Sequence, residues 1–242
     1  MSLYLDSAVL AEVAEASELG LGAGVTTNPT LVRRAEAANR AQGATSRAEV
    51  FARLLLATRA MGGLVFAQVR TGTVAEMRRE ARELRALDVA FGELTPADQR
   101  RLAIKIPCTV EGLKLTRQLA GEKVPTLVTA VYTPAQAYLA AEAGATMIAP
   151  YVNRWEQANG RPGAEFLGEL KAALTAAGGR TQILAASLKS VEATTAALLA
   201  GADHVTVPLE VLRAFPEHPL TAQALARFDE DYDAYPEPPG RG

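Results

Sequence analysis

The sequence predicts an α/β protein whose βα units build a parallel sheet, and three observations carry that expectation. Short apolar runs alternate with helical stretches from one end of the chain to the other. Most of these runs are near-continuous in their apolar character, as strands covered on both faces require. Capping residues of the right chemistry stand between the two kinds of segment.

Taken in order, strands are expected at residues 3–5, 24–27, 64–69, 103–106, 126–129, 146–149, 182–186 and 204–207. Two helix starts are firmly marked. Thr95-Pro96-Ala97-Asp98 and Thr133-Pro134-Ala135-Gln136 each place a capping hydroxyl before a proline at the first helical position. Gly144 and Gly201 each close an alanine-rich helix and lead into a strand, in the similar strings Ala143-Gly144-Ala145-Thr146 and Ala200-Gly201-Ala202-Asp203. This is a repeated βα unit within one domain, since no long Gly/Ser/Pro linker interrupts the chain. Residues 221–232 read as one more helix, longer than the sheet needs and therefore a candidate contact between subunits. The last residues, 235–242, are rich in proline and glycine, cannot sustain a helix and are expected to be mobile.

The totals bound the function without choosing it. A length of 242 residues suits one eight-fold α/β barrel or two smaller domains. Apolar residues make up 49% and charged ones 21%, and 25 basic against 27 acidic residues leave a net charge of -2. That balance, with six Phe, six Tyr and one Trp, excludes an extended stacking platform for nucleic acid and points to a small anionic ligand at most. A single cysteine, Cys108, forms no intramolecular disulfide, and no apolar run reaches the ~18 residues of a membrane span. The chain starts straight into Leu3-Tyr4-Leu5-Asp6 with no export signal, so a cytoplasmic location is expected.

Lys105 is the residue most suggestive of chemistry. It ends the apolar string Leu102-Ala103-Ile104-Lys105-Ile106, closed by Pro107. Branched apolar neighbours strip solvent from an ammonium and favour the neutral amine, a nucleophile that converts a ketone to an iminium and so permits C–C bond making or breaking. The competing reading is a strand-end lysine that merely reaches solvent. In a parallel barrel the reacting groups stand where strands end, and those positions offer Asp6, Asn28, Gln68, Lys105, Thr129, Tyr151 with Arg154, and Ser187 with Lys189. Singly, Asp6 reads as a helix cap, Asn28 as a turn residue and Thr129 as a back-bonding hydroxyl. Gln68, between Ala67 and Val69, is harder to dismiss, because a buried amide without partners costs about 1–3 kcal/mol. Arg154, Ser187 and Lys189 suit a phosphate through charge-assisted hydrogen bonds, or else form a solvated rim. The two histidines, His204 and His218, supply neither a metal cluster nor a base paired with a nucleophile, and are assigned to structure. Gly20-Leu21-Gly22-Ala23-Gly24 precedes a strand and has Val25 at the third glycine position, so dinucleotide binding is rejected.

With these residues in hand the chain resembles the transaldolase family, and looks closest to its fructose-6-phosphate aldolase branch. The likeness is carried by Leu5-Asp6-Ser7-Ala8, Gly24-Val25-Thr26-Thr27-Asn28-Pro29-Thr30, Phe66-Ala67-Gln68-Val69 and Lys105-Ile106-Pro107. Further on it is carried by residues 125–132, 149–154 and 184–189. The resemblance implies a single (β/α)8 TIM barrel over 1–220, a C-terminal oligomerisation helix over 221–234 and a tail over 235–242. It implies a cofactor-free class I aldolase with Lys105 as the Schiff-base lysine on the fourth strand. It also implies Asp6 for proton transfer, Asn28 for substrate orientation, and Arg154, Ser187 and Lys189 for phosphate. Transaldolases of the family carry Glu and Phe where this chain has Gln68 and Tyr151, the aldolase pair, which with Thr129 are expected to hold and activate a water. Sugar phosphates, ketones and aldehydes are the implied small-molecule partners, with no nucleic acid or membrane, in a homodecamer or homopentamer. The leading expectation is reversible cleavage of fructose 6-phosphate to dihydroxyacetone and glyceraldehyde 3-phosphate. The alternatives are a transaldolase moving the same three-carbon unit and a non-catalytic sugar-phosphate-binding barrel. Relative to the shorter aldolases, residues 37–46 and 90–101 look inserted, and the first insertion is placed to reshape the mouth of the barrel.

Overall fold

Eight parallel strands close on themselves in the computed structural model, which describes residues 1–20, 22–87 and 95–235. They are β1 (Ser2–Asp6), β2 (Gly24–Thr26), β3 (Val65–Gln68), β4 (Leu102–Pro107), β5 (Thr126–Val131), β6 (Met147–Pro150), β7 (Gln182–Ala185) and β8 (His204–Val207). Each pairs with the next, and the ring closes with Leu3 of β1 opposite Val205 and Tyr4 opposite Thr206 of β8. The eight expected strands are the eight observed, so the (β/α)8 barrel stands.

Alternation along these strands serves two cores at once. Tyr4, Phe66, Ala103, Leu127, Met147, Ala149 and Leu184 point inward and fill the barrel. Leu5, Val25, Val65, Ile104, Ile106, Val128 and Ile183 point outward against the helices. The runs therefore read as continuously apolar, and Gly24 is glycine because a Cβ there would collide with the Leu64 carbonyl just ahead of the next strand. One alternation beyond the inward apolar layer come Asp6, Gln68, Lys105, Thr129 and Tyr151, so the packed interior ends in a polar crown at the C-terminal mouth.

The surrounding helices are α1 (Leu10–Glu18), α2 (Pro29–Ala41), α3 (Arg47–Ala57), α4 (Val74–Arg85), α5 (Pro96–Arg100), α6 (Val110–Gly121) and α7 (Pro134–Glu142). They continue with α8 (Val152–Asn159), α9 (Gly163–Ala176), α10 (Val191–Leu199), α11 (Leu209–Ala214) and α12 (Pro219–Asp233). Thr133 and Gln136 form the expected capping box, and Thr95 accepts from the Asp98 N–H at the start of α5. Gly144 and Gly201 adopt φ of +82° and +99°, the backbone that a helix C-terminal glycine supplies. Residues 90–94 of the second insertion, with 88 and 89 before it, and 236–242 of the tail lie outside the described residues. The last helix begins at Pro219, two residues ahead of the expectation, because Pro219 takes the first helical position and His218 Nδ1 accepts from the Leu220 N–H. No helix among the described residues is long and apolar enough to cross a membrane.

Candidate active site

Lys105 projects inward from β4, one alternation above Ala103, and is 2% exposed. Its Nζ donates to the Thr27 carbonyl at 3.0 Å and lies 6.0 Å from the centre of the Tyr151 ring. A single carbonyl contact holds the amine in place and leaves its other positions open to a reacting carbonyl.

Asp6 ends β1 with Oδ1 accepting from the Thr26 hydroxyl at 2.8 Å. Thr26 in turn sits 2.8 Å from Thr206 Oγ1 on β8, and because its own proton is given to Asp6, Thr206 must be the donor between them. The result is an oriented row across three strands that leaves Asp6 Oδ2 for the cavity. Sequence reasoning passed over Thr26 and Thr206, since threonine in a strand is ordinary. Their inward parity is the signal that marks them.

Asn28 caps α2, its Oδ1 accepting from the Leu31 N–H at 3.0 Å, so its amide NH2 is the group left for a ligand. Thr129 donates to the Tyr151 hydroxyl at 3.1 Å. Ala130 takes φ +60° at a shift in register between Thr129 and Val131, a bulge that re-aims the strand end toward Tyr151. Tyr132 packs edge-on against the Tyr151 ring at 6.0 Å, and the Arg154 guanidinium lies over the same ring at 4.9 Å. Ser187 is held at φ +65°, a conformation that costs a non-glycine residue about 1 kcal/mol or more and is concentrated where geometry matters.

Asp6, Asn28, Lys105, Tyr151, Arg154, Ser187 and Lys189 line one cavity of about 130 Å³. Thr129 stands behind it, joined through Tyr151. Gln68, although opposite Lys105 in the strand register, lines an adjoining cavity of about 510 Å³. Its Oε1 is buried with no partner among the described residues. Val32, Val50 and Phe51 give that larger space an apolar floor, and Arg33, Arg40, Arg47 and Arg70 rim it. Residues 39, 40 and 44–46 of the first insertion line it too. Its size does not make it the reactive centre, because the amine, carboxylate and phenol converge in the smaller cavity. The remaining wall of the smaller cavity is Ala186 and α2, the latter through Thr30, Leu31 and Arg34. Arg34 was missed by the sequence reading. Its position four residues after Thr30, on the same helix face, is the trace it leaves.

Of the histidines, His218 caps α12 and His204 is buried at the opposite end of the barrel, so both are structural. Chemically the cavity offers an amine nucleophile, a carboxylate to take a proton, a phenol to hold water, and cations at one end.

A sequence model of the family described as Transaldolase/Fructose-6-phosphate aldolase matches residues 3–237. A protein named probable transaldolase from Thermoplasma volcanium is 37% identical over 232 residues, 96% of this chain and 95% of its own length. Proteins of the same name from Lactiplantibacillus plantarum and Agathobacter rectalis are 36% and 34% identical, each over 97% of this chain and 98% of their own lengths.

Proposed function

Because this chain belongs to the transaldolase and fructose-6-phosphate aldolase family, we propose that it is a class I aldolase that cleaves fructose 6-phosphate reversibly to dihydroxyacetone and glyceraldehyde 3-phosphate. Lys105 attacks the C2 carbonyl and, with loss of water, becomes an iminium. Asp6 takes the proton of the C4 hydroxyl as the C3–C4 bond breaks, the bonding pair passes into the iminium to give an enamine, and the aldehyde departs. Protonation of the enamine carbon and hydrolysis by water return the free lysine and dihydroxyacetone. Asn28 orients the substrate hydroxyls, while Arg154, Ser187 and Lys189 hold the phosphate.

One observation carries the choice of aldolase: the Tyr151 hydroxyl is tied to Thr129 at 3.1 Å on the wall that faces Lys105. A phenol fixed there supports a water that can deliver the proton to the enamine carbon and so end the reaction as cleavage. Gln68, beside Lys105 in register, supports the same role with an oxygen that has no partner among the described residues. The names of the relatives favour a second reading, a transaldolase that hands the enamine to an acceptor aldehyde.

Borohydride reduction in the presence of fructose 6-phosphate, followed by peptide mapping, tests the covalent step. A three-carbon adduct on Lys105 is expected, absent in Lys105→Arg because a guanidinium does not lose its proton. Measuring ketose cleavage with and without an acceptor separates the two readings. Cleavage without acceptor fits the aldolase, and strict acceptor dependence reverses the order. No adduct despite sugar-phosphate binding would leave a non-catalytic barrel.

A further inference from the structure

α2 is a fixed wall of the cavity, and Thr30 and Arg34 are its polar groups there. Its first turn is capped by Asn28, and toward its other end Asn39 is buried and doubly tied, donating to the Ala8 carbonyl at 2.8 Å and accepting from the Leu10 N–H at 3.0 Å. A helix held at both ends cannot roll, so the side chain four residues past Thr30 stays on the cavity side. That side chain is Arg34, and it lines the cavity with Lys105, Arg154, Ser187 and Lys189. Among the described residues it makes no hydrogen bond or ion pair, whereas Arg40 on the same helix is paired with Glu36 at 2.6 Å.

The charge balance asks for such a group. Asp6 is the only carboxylate lining the cavity among the described residues, against Arg34, Arg154 and Lys189, with Lys105 set aside as the nucleophile. A phosphomonoester carries about −1.5 to −2 charge near neutral pH and three acceptor oxygens. Arg154 follows β6 and Lys189 follows β7, while Arg34 stands on α2, so the three cations enter the cavity wall from different elements.

We propose that Arg34 is a specificity-determining residue that closes on the substrate phosphate from α2, so that the site selects dianionic phosphomonoesters over uncharged aldehydes and ketoses. The proposal rests on the aldolase reading for its substrate but not for its anion. Being exposed, and unpaired among the described residues, Arg34 can be changed without disturbing the fold.

Two substitutions test it, Arg34→Gln and Arg34→Lys, with addition of dihydroxyacetone to glyceraldehyde 3-phosphate compared with addition to unphosphorylated glyceraldehyde. For Arg34→Gln the KM for the phosphorylated aldehyde should rise about 10- to 100-fold with kcat nearly unchanged, and the KM for glyceraldehyde should not move. Arg34→Lys should recover most of the loss. Equal changes for the two aldehydes, or none, would overturn the proposal. Calorimetric titration with inorganic phosphate provides a readout without turnover. Weaker binding in Arg34→Gln supports the assignment even in a protein that yields no borohydride adduct, and unchanged binding sinks it.

Discussion

His204 shows how one buried side chain couples the barrel to pH. It lies inside the closed end, meets the Tyr4 ring edge-on at 6.0 Å, and has neither ring nitrogen hydrogen-bonded among the described residues. Burial pushes the imidazole below its ordinary value of 6.5, the nearby N-terminal amine pushes the same way, and Asp203 opposes them more weakly. The unfolded chain therefore takes up a proton near pH 6.5 that the folded barrel refuses. Stability is intact above that pH and is lost as the pH falls through it, until the folded group also titrates. Calorimetric melting between about pH 7.5 and 5.5 should show a falling Tm, by roughly 2–4 °C for each kcal/mol lost. His204→Gln should flatten that slope, and an unchanged slope in the variant would assign the effect elsewhere. At the other end of the barrel Asp6 and Tyr151 of the polar crown have partners of the kind that His204 lacks. Asp6 is oriented by Thr26, and Tyr151 by Thr129, so these two groups are fixed in place by the fold itself.

Among the elements, the short helix α5 depends on one carboxylate. Asp98 accepts from Arg59 Nε at 3.1 Å and Nη2 at 2.7 Å, from the Thr95 N–H at 3.0 Å and from Arg101 Nη2 at 3.3 Å. The Arg59 hydrogen bonds hold this carboxyl well below the usual carboxylate range, so its contribution is present above the unfolded value of 3.8 and lost as pH falls below it. Asp98→Ala removes the common acceptor and leaves the mostly buried Arg101 short of its counter-charge. A loss of about 3 kcal/mol in denaturant unfolding is expected. A loss under about 1 kcal/mol would show that backbone contacts alone dock α5. This anchoring was not legible in the sequence, because Arg59 and Asp98 are far apart along the chain and only folding brings them together. The strands were legible for the opposite reason. Each is a local apolar run such as residues 103–106, and burial on both faces writes itself into neighbouring letters. The site was legible where a polar letter ends such a run, as at Lys105 or Gln68. It was not legible at Arg34, where the relevant direction is around a helix whose roll is set by distant Asn39 contacts.

At the scale of the whole molecule, α12 is the element the barrel does not explain. None of its residues is buried, and Leu220, Leu225, Phe228 and Tyr232 stand exposed. Leu225, Phe228 and Tyr232 follow one another at i, i+3 and i+7, which gathers them into a stripe on one helix face. An isolated helix of this length is marginal in water, and most helical stability comes from packing an apolar face. An apolar stripe that the barrel leaves uncovered therefore calls for a second surface. We propose that α12 covers this stripe on a neighbouring copy, in a ring-shaped homopentamer or a decamer of two such rings. Deleting residues 219–242 should lower the mass measured by light scattering. Replacing Leu225, Phe228 and Tyr232 together by glutamate should do the same while the barrel keeps its circular-dichroism spectrum. A full-length protein that is already monomeric, or a truncated one of unchanged subunit number, would remove α12 from the interface. The borohydride adduct on Lys105 should survive truncation, since among the described residues the lining of the cavity around Lys105 comes from the barrel strands and the loops after them, α2 and α8, and none from α12.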